Sequence, residues 1–558
     1  KDNHMKKIHI IIGFLFLISA ISFSSCEDYL DKKEDDAMTF DKIWKKRTSI
    51  LQYLDNVWGY ILKDDDIEDG HPFIAASDDA ALVYSRNYRY INLGTWNPSN
   101  VPYSAKMWPQ FYKGIREASI FIQNVDKSSA EDVSAEDIIR WKAEARFARA
   151  YQYFLLFRTY GPFIITGDDP VDITQAGFEK ARSPLEECVT YIEKELTECA
   201  KVLPVKFTNN EQSEYGRPTK GACLALIGRL KLYAARPLFN GNSMYANVKN
   251  PDGANLFPTT YDANKWKSAA EANKALITFS ENNSIYSLYK DGTNPYKSYQ
   301  GVFTVDWNDE LIFSRFGGRY DLQVLLTPAV VGGTAYGGAG PTQNQVDAYA
   351  MSNGKYPIKG YDESGSPIID QTSGYIETGT SAFVHPIDNI GGATATTPNM
   401  YINREPRFYV SVLWSGALWP YTSSNKRPVF AYNGNSGPGP RHDYPISGYM
   451  TRKFINPFSN SAGGTWGNIT FPIIRLAEIY LNYAEALNEY DPGNSDITKY
   501  LNLIRERAGV PNIQEAYPEV ASPGQATQAK MRELIQKERQ VELFFECHRY
   551  FMENCRKD

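Results

Sequence analysis

Apolar residues recur at helical spacing along both ends of the chain. Trp108, Phe111, Ile115, Ala118 and Ile122 fall on one face over Trp108 to Val125, since positions three or four apart share a side of a 3.6-residue turn. The stretch Trp141 to Tyr160 adds a small/large alternation. Ala143, Ala145, Ala148 and Ala150 leave room for a neighbouring helix, Phe147, Tyr151, Phe154 and Leu155 supply volume, and Gly161-Pro162 ends the run. Further helices are predicted over Pro184 to Cys199, Thr219 to Ala235, Trp266 to Phe279, Pro472 to Asn488, Ile497 to Ala508 and Gln528 to Arg549. Pro472 is placed at the first helical position because its fixed φ and missing N–H suit that site. Their pairing and length are reminiscent of tetratricopeptide-like repeats, although internal self-similarity is weak.

Between about 240 and 470 the pattern dissolves. Gly, Pro, Asn, Ser and Thr dominate, as in Val331-Gly332-Gly333-Thr334-Ala335-Tyr336-Gly337-Gly338. Short apolar runs such as Glu310 to Phe313 and Tyr409 to Trp414 read as strands. Loops of this length in a compact chain commonly bind something, so ligand contacts are expected here. The fold expected is mainly α: a helical scaffold over about 41–240 and 470–558, with a loop-rich ligand-binding insertion over about 241–469 and short strands within it.

Composition narrows the function. With 59 Lys+Arg against 65 Asp+Glu in 558 residues, there is no basic field of the kind nucleic-acid binding requires. The 38 Tyr and 10 Trp mostly suit helix interfaces, a minority being expected to stack on a ligand. No phosphate-binding loop, His-Glu-x-x-His or Gly-x-Ser-x-Gly pattern occurs. His71, His385, His442 and His548 are scattered, Asp64-Asp65-Asp66 lacks calcium-loop spacing, and no metal or cofactor is expected. Paired carboxylates are plentiful enough to leave glycoside hydrolysis as an alternative. Cys188 and Cys199, about 16 Å apart along one helix, are too distant to pair.

At the front, Met5-Lys6-Lys7 precedes an apolar run from Ile8 to Phe23, then Ser24-Ser25 and Cys26. Such a run rises only about 24 Å as a helix, short of the ~20 residues a membrane span needs. It reads as an export signal, with a stop-anchor helix as the alternative. Ser24-Ser25-Cys26 resembles the bacterial lipobox, with Phe23 where Leu is commoner, so residues 1–25 are expected to be signal and preceding artefact residues (Lys1 to His4). Residues 26–40 would then be an acylated N-terminus and acidic tether, from Glu27-Asp28 to Glu34-Asp35-Asp36, similar to that of surface-exposed lipoproteins in Bacteroidetes-type bacteria.

A series of segments then carries a family likeness. It begins with Lys142-Ala143-Glu144-Ala145-Arg146-Phe147 closing at Tyr160-Gly161-Pro162, Gly216-Arg217-Pro218-Thr219, and Asn308-Asp309-Glu310. Asn403-Arg404-Glu405-Pro406-Arg407, Gly448-Tyr449-Met450-Thr451-Arg452-Lys453 and Arg475-Leu476-Ala477-Glu478-Ile479-Tyr480 follow. Arg505-Glu506-Arg507-Ala508-Gly509 and Glu538-Arg539-Gln540-Val541-Glu542 complete the order. Together they resemble the SusD/RagB family of outer-membrane nutrient-binding lipoproteins, with Glu405 where many members have Asp and Cys547 where many have Gly. These blocks read as structural, Glu478 and Glu485 being expected to pair with arginines such as Arg505, Arg507 or Arg539. The resemblance implies a tetratricopeptide-like SusD fold and no catalysis. It also implies a role as the lid of a SusC-like TonB-dependent transporter, with an oligosaccharide as cargo and a peptide as the alternative.

Sugars are held by aromatic faces and forked polar side chains. The segment from Ser77 to Asn100 offers both, with Trp96 in a Gly/Pro-flanked loop as the first candidate platform and Asp79, Arg86 and Asn100 as hydrogen-bonding candidates. Trp307, Tyr336 among glycines, and Trp419 before Pro420 are the further ligand-binding candidates, and Cys26 is the lipidation site.

Overall fold

A computed structural model of the chain describes residues 40–61, 63–64, 73–85, 88–95, 97, 99, 104–207, 211–316, 320–387, 394–419, 421, 427–439 and 442–554. Helix accounts for 47% of the structure and strand for 10%, which makes the protein mainly α. The principal helices are α1 (Arg47–Gly59), α2 (Ser104–Asn124), α3 (Ala135–Tyr160), α4 (Leu185–Val202), α5 (Lys220–Ala235) and α6 (Asn264–Asn283). Within the loop-rich region lies α7 (Pro295–Thr304), and after it come α8 (Leu476–Tyr490), α9 (Asp496–Arg507) and α10 (Gln528–Glu542).

Local chemistry sets these boundaries. Helix α3 begins at Ser134, whose hydroxyl accepts from Asp137 N at 3.0 Å while the Asp137 carboxylate accepts from Ser134 N at 3.2 Å, a reciprocal cap. It ends at Gly161 with φ +72°, where an added Cβ would stand 2.9 Å from the Phe257 ring. Only glycine combines that left-handed turn with so close a neighbour. Along α3 the alanines anticipated as a packing flank, Ala143, Ala145, Ala148 and Ala150, are all buried.

Successive helices pack in a chain: α2 on α3, α3 on α4, α4 on α5, α5 on α6. Helix α6 then packs on α8, with residues 284–475 between them in sequence, and α8 packs on α9 and α10. The scaffold expected to stop near 240 therefore continues to Asn283, because the apolar face of α6 (Ala269, Ala270, Leu276, Ile277) is buried between α5 and α8.

The strands form two-stranded antiparallel ribbons: β1 (Ala81–Leu82) with β3 (Ala339–Gly340), β2 (Leu311–Phe316) with β10 (Thr470–Arg475), and β4 (Ile358–Tyr361) with β5 (Pro367–Ile369). β6 (Thr380–Val384) pairs with β7 (Thr394–Pro398), and β8 (Val412–Trp414) with β9 (Tyr449–Thr451). Two expectations change here. Pro472 does not start a helix; it sits in β10 opposite Ser314, and α8 begins at Leu476. The run Tyr409 to Trp414 is strand only from Val412, its first part completing a short helix, Pro406–Ser411.

The signature segments converge on a buried ion cluster. Arg475 donates to Glu310 at 2.7 Å, Glu542 at 2.6 Å and Glu546 at 2.8 Å. Arg507 reaches Glu310 at 2.7 Å and also pairs with Glu542. Arg407 bridges Glu405, Glu538 and Glu542, Arg505 joins Glu538 at 2.9 Å, and Lys453 joins Glu546 at 2.6 Å. These five cations and five carboxylates are all but inaccessible to solvent, so each charge depends on its partners. The surrounding guanidinium groups hold Glu542 far below the usual carboxylate range against the cost of its burial. Of the pairings anticipated for the helix at 475–486, Glu485 does meet Arg539 at 3.5 Å, but its shorter contact is Arg236 at 2.7 Å. Glu478 pairs with Arg229, and Arg505 and Arg507 serve the cluster instead.

All four cysteines among the described residues, Cys188, Cys199, Cys223 and Cys547, are buried free thiols. No helix among the described residues is long and apolar enough to cross a membrane.

Candidate ligand-binding site

A cavity of about 890 Å³ opens where the early loop meets the loop-rich region and the C-terminal turn. One wall is the loop 76–83, including Ser77, Asp78 and β1. A second is the short helix Tyr88–Asn92. The rest comes from Thr342 just after β3, from Tyr444 and Ile446, and from Arg549 and Tyr550. Pairing of β1 with β3 (Ala81 opposite Gly340, Leu82 opposite Ala339) brings the two distant segments together. Thr342 reinforces the join, its amide and hydroxyl donating to the Asp78 carbonyl at 3.2 and 3.0 Å.

The polar groups are fixed from behind. The Asp78 carboxylate accepts from Arg549 Nη2 at 3.1 Å and Asn344 Nδ2 at 2.7 Å. The Tyr88 hydroxyl lies 2.8 Å from Leu82 O and 2.7 Å from Tyr84 O, and Asn92 donates to Ala75 O at 3.0 Å. Tyr550 packs against Phe73 with ring centroids 4.8 Å apart. With Asp78 paired to Arg549, the cavity combines tyrosine rings and Arg89 with hydroxyl and amide groups, a surface suited to a hydroxyl-rich ligand. Asp78 is the one carboxylate among the described lining residues, whereas glycoside hydrolysis uses two across a sugar. Among the described residues no group of three His, Cys, Asp or Glu could hold a metal ion.

Asp79 takes a different place from the one expected. It is 1% exposed and its Oδ2 accepts from Phe545 N at 3.0 Å, while Oδ1 has no partner. Burial raises its carboxyl to about 7, outweighing the opposing pull of Arg549 and the Phe545 amide. Asp79 thus ties the cavity loop to the C-terminal turn and is not among the residues that line the cavity. That turn is unusual: Phe545 and Cys547 both have positive φ, 63° and 62°, which ends the helix predicted to run to Arg549 at Glu542 and redirects Arg549 and Tyr550 into the cavity.

The other candidates separate. Trp419 is 2% exposed, edge-on to Tyr421, and belongs to the core. Tyr336 is 45% exposed on the loop leading to β3, next to the cavity-forming ribbon but outside its lining. Trp307 is half-buried elsewhere, stacked on Tyr215 at 4.8 Å. Trp96, Arg86, Asn100 and Cys26 lie outside the described residues. Sequence reasoning found the early loop but missed Tyr88, Arg89, Thr342, Tyr444, Arg549 and Tyr550. The nearest signal for them was the Tyr-rich composition, which marks no position.

A scaffold of paired helices thus supports a loop-built, polar-aromatic cavity. Residues 28–232 match the family model described as "Starch-binding associating with outer membrane", and residues 315–551 match that of the SusD family. The chain belongs to the SusD/RagB family, whose members are non-catalytic binding proteins of the outer membrane, generally paired with a SusC-like TonB-dependent transporter.

Among curated relatives, SusD-like protein P2 of Formosa agariphila is 30% identical over 142 residues, 25% of this chain and 24% of that one. The match thus spans about a quarter of that relative's length. A SusD-like protein of Bacteroides fragilis has the same fold with a TM-score of 0.66 at 23% identity, covering 92% of this chain and 86% of that one. A SusD-like carbohydrate-binding protein of the same species gives 0.62 at 20% identity, covering 91% and 86%.

Proposed function

We propose that this chain binds an oligosaccharide in the cavity between the early loop and the C-terminal turn and delivers it to a TonB-dependent outer-membrane transporter. The observation that carries this reading is a pre-organised recess whose tyrosines and Arg89 are backed by a rigid frame, Asp78 with Arg549 and Asp79 with Phe545. Family membership supports the transporter partner, and the carbohydrate-binding protein of Bacteroides fragilis that shares this fold supports the ligand class. Membership of a family of non-catalytic binding proteins supports a role of capture and release without chemistry.

Calorimetry of the soluble chain against plant, host and microbial glycans tests the ligand, with peptide mixtures alongside. Saturable binding to one glycan is expected, weakened about tenfold or more in Tyr444→Ala and Arg89→Ala with melting temperature unchanged, since a central contact typically contributes more than about 1 kcal/mol. Full glycan affinity in both variants would place the site elsewhere, and binding of peptides alone would replace the cargo.

The same reading holds the chain at the cell surface through acylated Cys26. Metabolic labelling with radioactive palmitate is expected to mark the protein, and Cys26→Ala is expected to lose the label and leave the membrane fraction. Retention of Cys26→Ala in the membrane without label would favour an anchor helix.

A further inference from the structure

The wall of the cavity continues beyond Thr342. That residue caps a short helix, Gln343–Asp347, its hydroxyl accepting from Gln345 N at 3.4 Å. The helix carries the polar surface on toward the β4–β5 hairpin. Asn344 bonds in both directions: its Nδ2 donates to the Asp78 carboxylate at 2.7 Å, and its Oδ1 lies 3.5 Å from the Tyr361 hydroxyl. Asp78 and Thr342 line the cavity, and Tyr361 ends β4. One amide side chain therefore separates the cavity wall from an aromatic ring outside it.

That ring is fixed and open. Its hydroxyl donates to Asp347 Oδ2 at 2.8 Å, and Asp347 is buried and braced by Gln343 Nε2 at 2.8 Å. Burial, the bond to Asp347 and the charges of Asp347 and Asp78 raise the phenol, so it stays protonated and keeps donating. At the turn joining β4 to β5, Asp362 accepts from Ser364 N and Ser366 N, both at 2.9 Å, which holds the shape of the hairpin. Pro367 stands opposite Tyr361 across the ribbon, on the same face. Even so, Tyr361 is 40% exposed, and among the described residues no other ring and no cation stacks on it. A surface tyrosine ordinarily lays its apolar body on the protein and turns its polar tip to water. Tyr361 does the reverse: the hydroxyl is tied inward and the ring is left in solvent.

We infer that Tyr361 is a distal sugar platform, and that the ligand is an oligosaccharide long enough to run from the cavity across Asn344 onto its ring. The inference rests on the cavity reading given above. The ring offers its face to the C–H surface of a sugar. A chain confined to the cavity gains nothing from Tyr361. One that reaches it adds a second contact within the same molecule, so the added contact strengthens binding at little further cost in freedom. Chain length is thus what the hairpin selects.

Calorimetry with malto-, cello-, xylo- and manno-oligosaccharides, each from the disaccharide to the hexasaccharide, tests this. In a series that binds, affinity is expected to rise about fivefold at the length that first reaches Tyr361 and to level off beyond it. Tyr361→Ala is expected to remove the step and Tyr361→Phe, which keeps the ring, to retain most of it, with circular dichroism confirming the fold of both. Equal losses in the two variants overturn the inference, since the bond to Asp347 would then matter and the ring would not. A step that survives Tyr361→Ala, affinity independent of length, or silence toward all four series also overturns it. The cavity reading fails differently. Length-independent binding that Arg89→Ala still weakens leaves the cavity standing without its extension, whereas binding indifferent to both Arg89→Ala and Tyr444→Ala sinks the two together.

Discussion

Arg475→Met is expected to lower the unfolding free energy by about 3–5 kcal/mol, because removing one partner of a buried pair strands the charges opposite it. Here Glu310, Glu542 and Glu546, each virtually excluded from solvent, keep Arg507, Arg407 and Lys453 but are left with one uncompensated negative charge among them. Met preserves much of the side-chain volume, so the loss measures electrostatics more than a cavity. Urea denaturation provides the value. Arg532→Met is the control, since Arg532 meets Glu489 at 2.6 Å but is 41% exposed, and surface pairs contribute about 1 kcal/mol or less. Equal losses in the two variants would mean that the cluster contributes no more than a surface pair. Because the cluster joins β2, β10, α9, α10 and the segments 405–407 and 451–453, its failure should unlatch the loop-rich region and the C-terminal helices together.

Asp79→Asn is expected to abolish a pH dependence worth up to about 4 kcal/mol, taking about 1.4 kcal/mol per pH unit. The native carboxyl is raised from 3.8 to about 7. Between those values the unfolded chain has released the proton that the native state still holds. Stability of the parent therefore falls as pH rises from about 4 to 7 and levels off above. The Asn side chain keeps a carbonyl for Phe545 N and carries no charge, so the variant gains on the parent across that window. Denaturation at pH 4, 6 and 8 reads the difference, and parallel curves for the two proteins would show that Asp79 ionises freely. Lys453, pressed down to about 8 by burial against the pull of Glu546, acts above this window. Because Asp79 anchors the loop that lines the cavity, glycan affinity should decline over the same pH range.

The helices were legible wherever burial is periodic and local. The alternation of small and large residues in α3, and the Gly161-Pro162 stop, follow from contacts within one or two helices. Errors fell where distant chain decides. Pro472-Ile473-Ile474 reads equally as a helix start or a strand, and pairing with β2, more than 150 residues earlier in the chain, settles it as strand. The helix through Gln528 breaks after Glu542 because Phe545 and Cys547 adopt left-handed backbone, which no local propensity predicts for those residue types. The site divides in the same way. Ser77, Asp78 and Asn92 lie in the polar-aromatic segment that drew attention, whereas Thr342, Tyr444 and Arg549 become its neighbours only through the β1–β3 ribbon and the C-terminal turn. Asp79 was noticed for its chemistry, but its burial belongs to the tertiary structure.

The pairing of β2 with β10 means that residues 317–469 leave and re-enter the molecule at adjacent points, with Leu476 N bonded to Glu310 O at 2.9 Å just beyond the ribbon. Closing a longer or shorter excursion between fixed ends changes the free energy slowly, by about 0.6 kcal/mol per doubling of length. That region is thus a socketed cassette. Exchange of the whole segment between related genes would replace Thr342, Tyr444 and Ile446 while leaving the opposite wall, the early loop with Arg549 and Tyr550, in place. Such an exchange would change half of the proposed recognition surface at once, provided that the incoming segment keeps Glu405, Arg407 and Lys453, its members of the buried ion cluster.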